Sequence, residues 1–312
     1  MWFDKEKMHW ELMSDEEMLR KLTIPEGILD MVLDTDTYNE VDDQFALAYS
    51  LLSPERLNVQ AVYAAPFYND RSTGPEDGME KSYGEIVRLL DKMGRSADGF
   101  VHKGARAFMP DAVTPVDSPA ARDLIARAMA RPDDDPLYVV AIGAITNVAS
   151  AILLEPRITR KIVVVWLGGN PTAFPFAKEF NLSQDVHAAN IMLDCGVPFI
   201  MIPCLGVASH LLSTVAELKE TLAGKNALCD ALVELYSAYE KDHFGWAKEI
   251  WDVSTIGFLI NPDWVPTKLI HAPMLTEYSS WAFDDRRHFM REAYFCSRNP
   301  IFKDMFRKLE SL

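Results

Sequence analysis

With 312 residues, 49% of them hydrophobic and 25% charged, the chain is long enough to bury one large α/β core or two smaller ones. Its 31 Lys and Arg stand against 46 Asp and Glu, a formal charge of -15 that repels a nucleic-acid backbone, and no basic patch offsets it locally. The N-terminal segment is charged throughout and lacks the apolar core of a signal peptide, and no later run reaches membrane-spanning length, so the expectation is a cytoplasmic protein that binds neither nucleic acid nor membrane.

Taken in chain order, short β-rich apolar runs alternate with longer helical patterns, which predicts an α/β fold with an open, mostly parallel sheet flanked by helices. After an N-terminal extension over residues 1–27, strands are expected at 29–35, 58–65, 137–143, 161–169 and 197–204. Helices are expected at 42–52, 79–93, 119–131, 146–154 and 185–194. Ser118 followed by Pro119 reads as an N-cap with proline at the first helical position, Asp185 reads as a second cap and Thr146 as a third. Residues 66–80 read as a long loop at the C-terminal end of a strand, where open α/β sheets bind ligands. From Ser213 onward the pattern becomes mainly helical with no Gly-, Pro- or Ser-rich linker, so residues 1–312 form one domain with a helical C-terminal portion. Cys195, Cys204, Cys229 and Cys296 have no CxxC spacing and read as buried thiols rather than a disulfide framework or a zinc site.

The chemical signal lies at the first strand, where "DTDTYNEVDD" crowds Asp34, Asp36, Asp42 and Asp43 beside an apolar run. Clustered carboxylates repel one another unless something neutralises them, and a divalent cation with oxygen ligands is the natural partner. The plainer reading, that Asp42 and Asp43 favour a helix dipole, leaves Asp34 and Asp36 unexplained. A strand-ending DxD also opens haloacid-dehalogenase-like phosphatases, but their motif wants Thr or Val where Tyr38 stands, and no acidic metal motif follows.

The array as a whole resembles the inosine-uridine-preferring nucleoside hydrolase family, whose N-terminal signature is DxDxxxDD. "VVAIGAITNVASAI" resembles that family's TGxLTNxA segment, "VVWLGGN" its MGG strand, "AKEFNLSQDVHAANIML" its AEFNxxxDPEAAxxV and "IWDVSTIGFLINPDW" its HDPxAxAxxxxP, all in the right order. The resemblance implies a calcium-dependent N-ribohydrolase, with Ca2+ held by Asp36, Asp43, the Ile142 carbonyl and Asp252. It further implies that Asp36 is the base for the attacking water and that Asp42 holds the 2'-hydroxyl, the two being the catalytic pair. Asn181 and Asp252 would hold the 3'-hydroxyl and Glu179 the 5'-hydroxyl, with Asn69 near the ribose and Asp34 supporting the site without ligating. Family members usually form homodimers or homotetramers, and the implied partner is a small ribonucleoside.

Two departures from the family pattern stand out. Trp251 occupies the place of a His that protonates the leaving base, and five residues, "TYNEV", separate Asp36 from Asp42 instead of three. Trp251 is read as either a stacking face for the base or ordinary core. Tyr236, Tyr239, His243 and His288 are substitute acids without a motif behind them, and clustered Arg286, Arg287 and Arg291 read as a solvated face or subunit contact. The rival readings are a nucleoside-binding protein without turnover and a hydrolase of another ribosyl compound.

Overall fold

A computed structural model describes residues 10–312, so the first nine residues of the expected N-terminal extension lie outside the described residues. The central sheet is built from β1 (Leu29–Thr35), β2 (Leu57–Ala64), β3 (Val101–Lys103), β4 (Leu137–Ala141), β5 (Ile162–Leu167), β6 (Phe199–Ile202), β7 (Thr267–His271) and β8 (Phe289–Ala293). Their order is β3-β2-β1-β4-β5-β6-β8-β7, every pairing parallel except that of β7 with β8. The sequence runs outward one way from β1 and then restarts at β4 on the other side of it. The crevice beyond the C-terminal ends of β1 and β4 is therefore the topological switch point, where open α/β sheets place ligands.

β1 and β4 are buried along nearly their whole length, as expected for strands covered on both faces. Alternation with period two sends Met31, Leu33, Val140 and Val165 to one face and Val32, Val139, Val164 and Trp166 to the other. The first face is covered by α2 (Asp43–Leu51), α3 (Pro75–Lys92), α8 (Val215–Leu222), α9 (Ala227–Tyr239), α10 (Val253–Ile260) and α11 (Arg298–Glu310). The second is covered by α4 (Pro119–Met129), α5 (Thr146–Leu154) and α7 (Val186–Asp194). The remaining helices are the short α1 (Asp15–Lys21) and α6 (Phe180–Gln184). The C-terminal helix is keyed to the helix that follows β1: Tyr49 donates to Asp304 at 2.7 Å and Lys308 to Ser53 at 2.9 Å.

Several sequence expectations are revised by the fold. The 66–80 segment is only partly loop, because Gly74-Pro75 starts α3 with proline at its first turn. Thr146 is not a cap: it is the first residue of α5 and its hydroxyl donates to Asp185 at 2.7 Å. β3, β7 and β8 were not expected, so the C-terminal portion carries the end of the sheet as well as its helices. Ser118 and Asp185 do cap α4 and α7, accepting from Ala121 N and Ala188 N. All four cysteines are free and buried.

Two stability predictions follow from buried groups. Asp185 joins three segments, accepting from Ala188 N, Thr146 Oγ1 and Met109 N. Asp185→Ala removes a cap and strands two further buried donors, and should cost about 3 kcal/mol in urea unfolding. Burial holds the His288 imidazole down to about 4, with Arg287 and His271 adding to the effect. The unfolded chain therefore binds a proton at higher pH than the fold does, and this stability is present above about pH 6.5 and lost as pH falls through about 4. His288→Gln should flatten the acid limb of a Tm-against-pH curve by up to roughly 3 kcal/mol.

Candidate active site

β1 ends at Thr35, and the chain then makes a turn in which Asn39 N donates to Asp36 O at 2.7 Å before α2 begins at Asp43. This puts Asp36 at the strand end and Asp42 and Asp43 at the helix start, all buried. β4 lies alongside, with Ile142 N donating to Asp34 O at 2.8 Å, so the Ile142 carbonyl follows at the same level. Asp252 arrives as the residue preceding α10. Carboxylate oxygens of Asp42, Asp43 and Asp252 all lie within 4.8 Å of one another.

Asp36 and Asp43 are fixed differently. Thr35 Oγ1 donates to Asp43 Oδ1 at 2.5 Å, whereas both side-chain oxygens of Asp36 are buried without a hydrogen-bond partner among the described residues. Room for the Asp36 carboxylate depends on Gly143: a Cβ there would lie 2.9 Å from both Cγ and Oδ1 of Asp36. Trp166 Nε1 holds that glycine in place by donating to its carbonyl at 3.0 Å.

Burial, followed by repulsion from Asp43 and Asp42, pushes the Asp36 carboxyl well above its usual range, and Asp43 and Asp252 are raised by the same combination. Asp42 reaches only about 6, because burial and Glu40 raise it while Lys248 draws it down. Two unit charges about 5 Å apart repel by roughly 3 kcal/mol at an effective dielectric constant near 20, so three ionised carboxylates together cost about 10 kcal/mol. That rivals the stability of a whole domain. The group is therefore built for protons or a cation, and a metal ion fits an all-oxygen donor set with two unpartnered buried oxygens beside it.

The cleft over this cluster has a cavity volume of about 230 Å³ and opens to solvent. Asp36, Asp42, Asp43, Ile142, Glu179, Asn181, Trp251 and Asp252, all expected from the sequence, line it. Glu179 is the N-cap of α6, accepting from Gly169 N at 2.8 Å and Asn181 N at 2.9 Å, and burial raises its carboxyl against the pull of those bonds. Asn181 Nδ2 spans the Ile142 and Leu167 carbonyls at 3.2 and 3.0 Å. Asn170 also lines the cleft, and its Oδ1 is buried without a partner among the described residues.

Asp34 is not on the cleft wall. It turns to the α5 side, where Asn147 Nδ2 donates to it at 2.8 Å while Asn147 Oδ1 accepts from Ala105 N, tying β1 to the segment after β3. Burial lifts its carboxyl to about 7 despite that bond. Asn69 borders the adjoining cleft and meets the site through Asn39, donating to its side-chain oxygen at 2.6 Å.

Trp251 lines the cleft while packing partly on the core. Among the described residues, no histidine lines this cleft. Among the substitute acids, Tyr236 is buried with its hydroxyl on the Ser213 and Lys248 carbonyls, His243 bonds the Ser237 and Glu240 carbonyls, and His288 immediately precedes β8, the strand next to the sheet edge. Only Tyr239 borders the adjoining cleft. Of the Arg286–Arg291 group, Arg286 stands on a solvated face and pairs with Asp284, whereas Arg287 pairs with Asp194 and Arg291 bonds the Leu22 carbonyl. The sequence reading missed Gly143, whose missing side chain is its contribution, and Lys248, which carries no motif.

The family model described as inosine-uridine preferring nucleoside hydrolase matches residues 31–282. A pyrimidine-specific ribonucleoside hydrolase, RihA, of Enterobacter sp. (strain 638) is 29% identical over 265 residues, covering 75% of this chain and 80% of that one. Among solved structures, a plant nucleoside hydrolase, PpNRh1, superposes with a TM-score of 0.73 at 21% identity, over 91% of this chain and 99% of its own. A purine-preferring ribonucleoside hydrolase from Gardnerella vaginalis gives 0.72 at 21% identity, over 90% and 98%. The two structures share the fold, and the family match adds what fold alone does not carry. The chain belongs to the inosine-uridine preferring nucleoside hydrolase family and is an N-glycosyl hydrolase.

Proposed function

We propose that this chain hydrolyses the N-glycosidic bond of ribonucleosides, releasing ribose and the free base, in a calcium-dependent reaction. The observation that carries the reading is the convergence of Asp36, Asp42, Asp43 and Asp252 in one buried cleft at the switch point, with both Asp36 oxygens unpartnered. Asp36, Asp43, Asp252 and the Ile142 carbonyl are the ligands we assign to calcium, a hard cation suited to oxygen donors. Bound there, the ion supplies the positive charge that lets these carboxylates ionise together and makes a nearby water more acidic. Asp42 is set apart from the ligands because Lys248 already balances part of its charge.

In this reading Asp36 takes a proton from the water whose oxygen attacks the anomeric carbon, while the carbon–nitrogen bond breaks and its electron pair leaves with the base. Asp42 orients the 2'-hydroxyl, Asn181 and Asp252 the 3'-hydroxyl, and Glu179 the 5'-hydroxyl. A carboxylate offers about four lone-pair positions, so Glu179 caps its helix and still accepts from a sugar. Asn69 acts through Asn39 at the edge of the ribose. Trp251 offers its indole face to the base, a contact of roughly 1–3 kcal/mol. Because no imidazole of the described residues lines the cleft, a second reading is favoured for part of the range: ribosyl compounds whose leaving group needs no protonation.

Chelated protein should regain turnover of ribonucleosides on addition of calcium, and of a nitrophenyl riboside at least as readily, with ribose release as the readout. Calcium should also raise Tm in wild type and leave Asp43→Ala unshifted, since a ligand that binds only the fold stabilises it. Asp36→Asn should lower kcat by about 10²–10⁴ with KM little changed, the range of a lost general base. Gly143→Ala should lower kcat as well, by driving its methyl group against the Asp36 carboxylate. Calcium-independent turnover, or full activity in Asp36→Asn, contradicts the mechanism.

A further inference from the structure

The "TYNEV" loop is not a loose flap. Gln44 Nε2 holds the Thr37 carbonyl at 2.5 Å, Asn69 holds Asn39, and Arg71 donates to the carbonyls of Tyr38 and Glu40 at 3.3 and 3.2 Å. These bonds put Glu40 on the wall shared by the carboxylate cleft and the adjoining cleft bordered by Asn69, Arg71 and Tyr239. Lys248 then fixes the Glu40 side chain, donating to Oε2 at 2.5 Å, and its ammonium lies 5.1 Å from the Tyr239 ring centroid and 6.0 Å from that of Trp251. Its side chain is only 11% exposed, against 33% for Glu40. Buried between a carboxylate and two aromatic faces, that lysine is a rigid anchor. Among the described residues no hydrogen bond engages Glu40 Oε1, so the acceptor left over is on the partly exposed carboxylate.

Resting on the nucleoside reading above, we propose that Glu40, positioned by Lys248, is the residue that selects the leaving base, favouring bases with an exocyclic amino group over their oxo counterparts. With ribose over Asp36 and Asp42, the base leaves the sugar toward the wall where Trp251 and Glu40 stand. An amino group donates to the carboxylate, while a carbonyl oxygen at the same position meets a second acceptor and leaves the carboxylate unpaired. Lys248 touches no base in this arrangement and is a positioning residue.

Recognition can be read without turnover in an Asp36→Asn background with calcium present, by calorimetric titration with cytidine, uridine, adenosine and inosine. We expect cytidine to bind at least tenfold more tightly than uridine, and adenosine than inosine. Adding Glu40→Ala should bring both ratios to near one, and Glu40→Gln should keep part of each preference. Lys248→Met should shrink the ratios as well, an effect on selectivity that a loss of stability alone does not produce, with Tm measured alongside. Equal affinities within each pair, or ratios unmoved by Glu40→Ala, overturn the inference while leaving the hydrolase reading intact. Failure of all four nucleosides to bind, together with no wild-type turnover of them, overturns both.

Discussion

Electrostatic repulsion among buried carboxylates is the constraint around which this molecule is arranged. Asp36, Asp42, Asp43 and Asp252 sit at 4% exposure or less, in a chain that already carries a charge of -15. A surface would let water screen them, but here the sheet and two helices exclude it. The surrounding structure supplies partial answers: a threonine hydroxyl for Asp43, a lysine for Asp42 and Glu40, and, among the described residues, no hydrogen bond for the two oxygens of Asp36. In the proposed mechanism, what is left uncompensated is what the reaction uses. A carboxylate with free lone pairs, raised in proton affinity by its neighbours, is suited to accept a proton from water.

Much of this was legible in the sequence because the family motifs sit at strand ends and helix starts, where apolar runs give way to acids. β1, β4 and β5 are continuous Val/Ile/Leu stretches, and Asp36, Ile142 and Leu167 follow from where those stretches stop. The strands at the other end of the sheet were hidden by charge. β8 reads FMREA, and its Glu292 is buried only because Thr172 and Lys268 satisfy it from other elements. β7, at the edge, keeps Lys268 and Leu269 exposed, and such a strand has no apolar run to find. Lys248 was invisible for a related reason. Its importance comes from Glu40 and Asp42, more than 200 residues earlier, and no local pattern marks a lysine as buried.

Trp251 shows how one substitution redistributes work within a site. An imidazole donates a proton; an indole supplies area and a π face. Around it stand the Glu40 carboxylate and the Lys248 ammonium, the latter against the Tyr239 and Trp251 rings, so in the proposed reading selection of the base falls to a group other than the one that fills the place of the proton donor. That separation is consistent with a site in which sugar contacts are kept while the base side is free to change.

The docking of α11 on α2 also has a consequence for biosynthesis. Asp34 to Asp43 leave the ribosome about 200 residues ahead of Asp252, and the contacts of Asp304 with Tyr49 and of Lys308 with Ser53, at and just after the helix carrying Asp43, come later still. While translation proceeds, the nascent N-terminal strands hold a group of like charges that is solvated and dispersed, and a chain stopped before residue 250 lacks the pieces that gather it. The acidic cluster is therefore gathered only once the segment from Asp252 to α11 has been made, which makes the docking of α11 a condition for the finished cleft even though that helix does not line it.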